Sequence, residues 1–269
     1  MMDVPRVRRP ALCIAAAVVI VAGSPPAFAS APPAVLVHQE ETVIGTSLRD
    51  RPIIAVHRWT DGATNRVVVL GQMHGNEKAG VDIARRVESA SLPANTDLWA
   101  IATMNPDGNA AGTRVNTAGV DLNRNFAHLW VHAGEGSGTF SGPAALSEPE
   151  TRAIADVITR VQPRMTVSYH QPLFGVDTSG MPSARWLADA LADRTGLPRK
   201  DFTCSGGCHG TFTGWHNAYT TGSAVTVELG PSTAEACQSS SEVVGRGPSS
   251  TVTADPVVKA LCHPVNAPW

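Results

Sequence analysis

The chain has 269 residues, of which 43% are hydrophobic and 16% are charged, and its formal net charge is −2 at pH 7. This length is sufficient for one α/β domain with a substantial core. The near-neutral charge gives no reason to expect nucleic acid or an anionic membrane as a partner, so those classes of function are set aside.

The first 29 residues predict a signal peptide. A basic start is followed by an uncharged apolar run over residues 11–23 and by the small-x-small sequence Ala27-Phe28-Ala29. We expect cleavage after Ala29 and a secreted protein, extracellular or associated with the cell wall. An uncleaved anchor is the alternative, but the run is shorter than the roughly 20 residues that a bilayer crossing needs. No later segment resembles a membrane span.

After the signal peptide, residues 30–40 predict a flexible leader and residues 41–269 a single domain. Short apolar runs typical of strands buried on both faces cover residues 53–57, 67–70, 98–102, 165–169 and 224–228. Helical spacing covers residues 77–89, 147–161 and 184–192, and the second of these begins with a capping box between Ser147 and Glu150. The alternation predicts an α/β fold: a mixed, mostly parallel central sheet with helices on both faces.

The candidate catalytic and metal-binding residues lie where an active site is expected in such a sheet, beyond the carboxyl ends of strands. His74, His170 and Glu228 each come at or just after a predicted strand end. The segment 105–147 has little periodicity, and long stretches of this kind are often functional loops. We therefore interpret that segment as part of the site.

Two histidines and one glutamate are the candidate metal ligands. His74 and Glu77 are three residues apart at the start of a predicted helix, so both side chains can converge on one ion. His170 supplies a third ligand, and a catalytic zinc ion takes three protein ligands and keeps one position open for water. The sequence therefore predicts one Zn²⁺ ion. A His-x-x-Glu spacing alone often arises by chance, and the alternative for His170 is a hydrogen-bonded histidine at a strand end.

Glu228 is the candidate general base. It ends a strand and precedes Leu229-Gly230-Pro231, where the chain turns. A carboxylate beside zinc can take a proton from water and deliver it to a leaving amine. The alternative is a salt-bridged glutamate at a strand end.

The run Asp121-Leu122-Asn123-Arg124 supplies the remaining candidates. Arg124 can grip a carboxylate with two hydrogen bonds, and Asn123 can add a third. Asp121 can accept a hydrogen bond from a zinc-binding histidine and so orient it. Arg114, seven residues before Asp121, can stabilise an oxyanion, although a solvated loop arginine is an equal alternative.

Four cysteines remain after cleavage of the signal peptide: Cys204, Cys208, Cys237 and Cys262. An even number in an exported protein indicates two disulfides, with three possible pairings. A local Cys204–Cys208 bridge is sterically feasible and would leave Cys237 for Cys262. A zinc site that uses Cys204, Cys208 and His209 is the alternative. Separately, His209 and His216 precede the Glu228 strand and are candidates for the wall of the pocket.

In combination, these stretches resemble the zinc metallocarboxypeptidase family, which includes carboxypeptidase A. The resemblance covers about residues 50–230. It implies that His74, Glu77 and His170 are metal ligands and that Glu228 is the base. It also implies that Arg114 holds the oxyanion and that Asn123 and Arg124 bind the terminal carboxylate. The tyrosine that digestive members carry about 20 residues before the base is absent, and Gly206 stands there.

Within that family the chain is most similar to the compact bacterial murein peptide amidases. The similar stretches are Asn105-Pro106-Asp107-Gly108, Gly112-Thr113-Arg114, the run from Gly119 to Phe126, and Gly210-Thr211-Phe212-Thr213-Gly214-Trp215. This resemblance implies hydrolysis of cell-wall peptides at the γ-D-glutamyl–diaminopimelate bond or release of a C-terminal residue.

We therefore expect a monomeric secreted zinc peptidase whose partner is a peptide or muropeptide. A general metallocarboxypeptidase is one alternative, and a deacylase of the aspartoacylase or succinylglutamate desuccinylase type is another, since those deacylases share the His-Gly-Asn-Glu motif. A non-catalytic wall-binding module is a third. It would be expected to have lost a ligand or the base, and here all four positions are filled.

Overall fold

A computed structural model of the chain describes residues 35–179, 182–204 and 208–231. The predicted signal peptide, the start of the predicted leader, Cys237 and Cys262 lie outside these residues. Among the helices of the described ranges, none combines the length and the apolar character needed to cross a bilayer.

Strands and helices alternate along most of the described chain. The strands are β1 (Val37–Thr46), β2 (Pro52–Thr60), β3 (Asn65–Leu70), β4 (Thr96–Ile101), β5 (Met165–His170), β6 (Gly175–Asp177), β7 (Arg199–Lys200) and β8 (Ser223–Glu228). The helices are α1 (Ala79–Ser89), α2 (Pro106–Ala111), α3 (Pro149–Val161), α4 (Arg185–Thr195) and α5 (Phe212–Tyr219). Short 3₁₀ turns cover Leu122–Arg124 and Pro182–Ala184.

The strands form one mixed sheet in the order β1-β2-β4-β3-β5-β8-β6-β7. Its centre, from β4 through β3 and β5 to β8, is parallel. The pairs β1–β2, β2–β4 and β8–β6 are antiparallel, and β6–β7 is parallel. The predicted α/β class with a mixed, mostly parallel sheet is therefore confirmed. Because the central strands run the same way, their carboxyl ends meet at one edge.

Helices cover both faces of the sheet, which explains why residues 67–70 of β3 are all apolar. Val67 and Val69 point into a core shared with α1 and α4, whereas Val68 and Leu70 point into a core shared with α3 and α5. A strand that is buried on both faces needs apolar residues at every position, not at alternate ones. All six residues of β5 are buried for the same reason.

The structure departs from the sequence prediction at several elements. β1 begins at Val37, before the domain boundary expected at residue 41, and β1, β6, β7, α2 and α5 had no predicted counterpart. The capping box at α3 is wrong: Glu148 is the N-cap, and no side chain caps the helix. Glu150 is fully buried and accepts a hydrogen bond from the backbone N–H of Leu48 in the β1–β2 turn (3.2 Å).

Candidate metal centre

The loop between β3 and α1 places His74 and Glu77. The backbone N–H of Glu77 donates to the His74 carbonyl (2.9 Å), which closes a tight turn. The buried amide of Gln72 donates to the carbonyls of Gly75 (3.1 Å) and Glu77 (3.3 Å) and holds the turn from below. These hydrogen bonds therefore fix the turn from which the His74 and Glu77 side chains extend.

Gly75 is required by a close approach between this loop and α2. A Cβ atom at Gly75 would overlap the carbonyl carbon of Gly108 and the backbone nitrogen of Asn109. The backbone of Gly75 does not have a positive φ. The glycine is therefore explained by contact with a neighbouring helix and not by a conformation that only glycine adopts.

His170 is the last residue of β5 and is 3% exposed. The strand pairing places it directly beside Glu228 at the end of β8. The next residue, Gln171, accepts from the N–H of Ala79 at the start of α1 (2.8 Å) and donates to the Gly230 carbonyl (2.7 Å). These bonds tie the ends of β5 and β8 to the helix that follows Glu77.

His74, Glu77 and His170 converge on one point. His74 Nδ1 lies 2.8 Å from Glu77 Oε1, His170 Nδ1 lies 3.0 Å from Glu77 Oε2, and the two Nδ1 atoms are 3.2 Å apart. In tetrahedral zinc sites with bonds of about 2.0–2.1 Å, neighbouring donor atoms stand about 3.3 Å apart. Within the described residues this is the one cluster of three or more such side chains close enough to hold a metal ion.

The proton positions also favour a cation at this point. Asp121 Oδ1 accepts from His74 Nε2 (3.0 Å), so the Nδ1 lone pair of a neutral His74 faces Glu77 and His170. Protons on both Nδ1 atoms would set two N–H groups against each other. One divalent ion satisfies both imidazoles and the carboxylate together, so the residues fit a single Zn²⁺.

The electrostatics of the cluster keep its carboxylates ionised. Burial alone would raise the pKa of Glu77, but the adjacent imidazoles of His170 and His74 hold that pKa well below its usual range. Burial likewise opposes the lowering of the Asp121 pKa, which results from the His74 hydrogen bond and from the nearby charges of His74, Arg114 and Arg124. Ionised oxygen donors are the form that binds a metal ion.

Arg114 and Arg124 lie beside the cluster in different surroundings. Arg114 donates to Asp121 Oδ2 through Nη2 (2.9 Å) and to Glu77 Oε1 through Nη1 (3.2 Å). The Arg124 guanidinium instead donates to the Asn123 carbonyl (2.8 Å) and to Cys204 Sγ (3.6 Å), both neutral. No carboxylate among the described residues forms an ion pair with Arg124, so its charge is available to an anion.

Asn123 and Glu228 border the same cavity as the metal cluster. Asn123 Oδ1 accepts from the N–H of Phe212 (2.9 Å), which leaves its amide N–H groups to act as donors. Glu228 Oε2 accepts from the N–H of Leu173 (3.2 Å). Burial raises the pKa of Glu228, against the opposing charge of His170 and the Leu173 hydrogen bond.

The cavity has a volume of about 620 Å³. Seven of the predicted catalytic, metal-binding and substrate-binding side chains line this cavity, and the eighth, Asp121, is buried behind His74. The seven are His74, Glu77, Arg114, Asn123, Arg124, His170 and Glu228. His209 lines the cavity, but His216 does not, because it lies on α5 with its side chain fully buried. The supporting roles of Gln72 and Gln171 carried no sequence signal, since they depend on neighbours distant in the chain.

The described cysteines form a disulfide between Cys204 and Cys208, and both line the cavity. The alternative of a zinc site at Cys204, Cys208 and His209 is therefore wrong, because a disulfide sulfur has no thiolate to offer a metal.

Comparisons with known proteins agree with this geometry. The sequence model described as zinc carboxypeptidase matches residues 38–172. Murein peptide amidase A of Vibrio campbellii is 32% identical over 212 residues, which are 72% of this chain and 81% of that protein. Murein peptide amidase A of Escherichia coli is 33% identical over 137 residues, which are 46% of this chain and only 57% of that protein.

Solved structures show the same fold. The murein-tripeptide amidase of Escherichia coli has a TM-score of 0.58 and 24% identity, with 78% of this chain and 93% of that chain covered. Carboxypeptidase A of Helicoverpa armigera has a TM-score of 0.66 and 18% identity, with 83% of this chain and 68% of that chain covered.

Proposed function

The chain belongs to the zinc carboxypeptidase family, and on that premise we propose that it is a secreted zinc peptidase that hydrolyses cell-wall peptides. The observation that carries the proposal is the convergence of two imidazoles and one carboxylate, with donor atoms 2.8–3.2 Å apart, on a cavity that Glu228 also borders. Three protein ligands with one open position are the arrangement of catalytic zinc sites, whereas structural sites use four.

We assign each chemical task to a residue at the metal cluster or the cavity. A zinc ion held by His74, Glu77 and His170 supplies a Lewis acid and lowers the pKa of water. Glu228 takes the proton from the attacking water and passes it to the leaving amine. The raised pKa of Glu228 suits both transfers, because a base of higher pKa accepts a proton more readily near neutral pH.

The two arginines are assigned to two different anionic groups of the reaction. Arg114, whose side chain is 34% exposed, lies against Glu77 and can hold the oxyanion that develops on the cleaved carbonyl. Arg124 is partly buried without a carboxylate partner among the described residues, and it binds the free carboxylate of the substrate together with Asn123. Asp121 keeps His74 in the tautomer that presents Nδ1 to the metal.

The substrate class is a murein peptide cut at the γ-D-glutamyl–diaminopimelate bond or at its C-terminal residue. The relatives named murein peptide amidase support this assignment. The predicted signal peptide and the Cys204–Cys208 disulfide support export to an oxidising compartment, where that substrate lies. We propose that the protein acts there as a monomer.

Replacement of Glu228 tests the proposal. Purified zinc-loaded protein is incubated with muropeptides and, separately, with N-acyl amino acids, and the products are resolved by mass spectrometry. We expect muropeptide cleavage by the native protein and a loss of about 10³-fold in kcat for Glu228→Gln, with zinc retained. Glu135→Gln makes the same chemical change on an exposed loop and should leave kcat unchanged.

Full activity of Glu228→Gln would refute the role of Glu228. Cleavage of N-acyl amino acids without any cleavage of muropeptides would replace the peptidase proposal with a deacylase. Zinc binding without turnover of either substrate would favour a non-catalytic wall-binding module.

A further inference from the structure

The sulfur of Cys204 is part of the surroundings of Arg124. The guanidinium has two hydrogen bonds, one to the Asn123 carbonyl (2.8 Å) and one to Cys204 Sγ (3.6 Å). A sulfur in a disulfide is uncharged and a weak acceptor. The guanidinium therefore keeps its full charge for an anion that enters the cavity.

The position of the sulfur is fixed by the chain that follows the disulfide. The N–H of Gly210 donates to the His128 carbonyl (3.0 Å), and its carbonyl accepts from the N–H of Phe126 (3.0 Å). The N–H of Phe212 donates to the Asn123 side chain (2.9 Å). These bonds join the segment after Cys208 to the segment that carries Asn123 and Arg124.

The disulfide is accessible to reagents in solution. Cys208 is exposed, Cys204 is half-buried, and both line the cavity that contains Arg124. A dithiol can therefore reach the bond. Its thiolate attacks one sulfur, and its second thiol then closes the reagent into its own disulfide. Two electrons and two protons pass to the protein, and Cys204 and Cys208 become thiols.

We propose that the Cys204–Cys208 disulfide controls the carboxylate site: it keeps the sulfur beside Arg124 neutral, and reduction creates a Cys204 thiolate that pairs with Arg124 and competes with the substrate carboxylate. A thiolate is favoured next to a guanidinium because the opposite charge stabilises the ionised form. The inference rests on the proposed function for the identity of the competing ligand. The contact between sulfur and guanidinium does not depend on it.

Other charged or titratable groups face the same region. His209 follows the disulfide, and burial together with the charge of Arg124 lowers its pKa, so it adds no positive charge at neutral pH. His128 and Arg114 line the cavity, and Asp121 is buried; the charges of Asp121 and Arg114 both act on Arg124. Because Arg124 makes the direct contact with Cys204, replacing Arg124 shows how much of any change in the ionisation of the Cys204 thiol comes from that contact.

Two single variants break the disulfide equally but leave different groups beside Arg124. Cys208→Ser leaves the Cys204 thiol there, whereas Cys204→Ser leaves a neutral hydroxyl there. The first measurement needs no substrate: iodoacetamide alkylation of Cys204 is followed against pH in Cys208→Ser and in Cys208→Ser combined with Arg124→Gln, by peptide mass spectrometry. We expect a lower midpoint pH when Arg124 is present. Equal midpoints would overturn the inference.

The second measurement uses the tripeptide L-alanyl-γ-D-glutamyl-diaminopimelate, titrated by calorimetry into each cysteine variant in the Glu228→Gln background at pH 6 and pH 9. We expect Cys208→Ser to bind on the order of tenfold more weakly at pH 9 than Cys204→Ser, with a smaller difference at pH 6. Equal weakening in both variants would show a purely structural role and contradict the inference.

The two proposals can fail separately. A shifted alkylation midpoint, with neither tripeptide binding nor tripeptide cleavage by the oxidised native protein, supports the Cys204–Arg124 pair and rejects the proposed substrate. Tripeptide cleavage by the native protein with an unshifted alkylation midpoint supports the proposed substrate and rejects the Cys204–Arg124 pair.

Discussion

Glu77 and Glu228 carry the same carboxyl group, but their surroundings give them opposite chemistry. Glu77 lies against two imidazoles, which lower its pKa despite burial, so it stays ionised and can bind a metal ion. Glu228 is half-buried and accepts a hydrogen bond from the Leu173 N–H, and the removal of its carboxyl group from water raises its pKa. This divergence agrees with the roles proposed for them, a metal ligand for Glu77 and a group that exchanges protons for Glu228.

The metal ligands could be predicted from the sequence, but the contacts around Arg124 could not. His74, Glu77 and His170 could be identified because zinc limits both the ligand types and their number. The His-x-x-Glu spacing and the position of His170 at a strand end supplied the rest. The contact of Arg124 with Cys204 could not be predicted, because 80 residues separate the two in the chain and only tertiary folding brings them together.

His216 provides a residue-scale prediction that is independent of the metal. Its ring lies between Thr166 Oγ1 (3.0 Å) and Thr220 Oγ1 (3.1 Å), and burial lowers its pKa to about 4. Between this value and the unfolded value of 6.5, the unfolded chain binds more protons than the folded chain. The contribution of His216 to stability is therefore greatest above pH 6.5 and falls as the pH drops toward 4, by up to about 3 kcal/mol.

Urea unfolding between pH 4.5 and pH 7.5 measures this effect. In His216→Gln the part of the pH dependence that comes from His216 should vanish, so the difference in unfolding free energy between native protein and variant should narrow as the pH falls. If the unfolding free energies of the native protein and of His216→Gln changed equally with pH over this range, the lowered pKa of His216 would be contradicted.

At the scale of elements, the loop that carries His74 and Glu77 depends on its contact with α2. A Cβ at Gly75 would overlap backbone atoms of Gly108 and Asn109, which cannot move aside as a side chain can. We expect Gly75→Ala to lower the free energy of unfolding by about 2–3 kcal/mol and to reduce zinc occupancy. Denaturant titration and metal analysis measure the two effects.

Gly138→Ala is the matched control, because no atom lies within 4 Å of the Cβ it would add and its backbone φ is ordinary. It should leave both quantities unchanged. Native stability and zinc content in Gly75→Ala would show that the contact with α2 does not shape the metal loop.

The elements that the sequence predicted are those with a strong periodic or continuous apolar signal. β3, β5 and β8 are buried on both faces, and α1, α3 and α4 present apolar residues at helical spacing. β6 and β7 have three and two residues, too few for any period to appear. The capping box failed because tertiary burial of Glu150 against the β1–β2 turn outweighed its local capping preference.

At the scale of the whole molecule, the sheet brings distant parts of the chain to one edge. His74 and Glu77 follow β3, and His170 ends β5, which lies beside β3 in the sheet. A metal ion held by these residues binds the folded chain far better than the unfolded one. Metal binding therefore adds directly to folding stability.

Removal of the metal should lower the melting temperature. With zinc at about 1,000 times its Kd, the stabilisation is about 4 kcal/mol, which corresponds to a shift on the order of 10 °C for a chain of this size. Differential scanning calorimetry of chelator-treated protein, before and after zinc is restored, measures the shift. Mg²⁺ should not restore it, because magnesium prefers oxygen donors over imidazole. An identical melting temperature with and without zinc would argue against a bound ion.

The most direct test is the zinc content of the purified full-length chain, measured by inductively coupled plasma mass spectrometry in native protein, His170→Ala and Glu228→Gln. The geometry predicts one zinc per chain in the native protein and in Glu228→Gln, and almost none in His170→Ala while its circular dichroism spectrum remains that of a folded chain. Native zinc content in folded His170→Ala, or no zinc in the zinc-loaded native protein, would contradict the site.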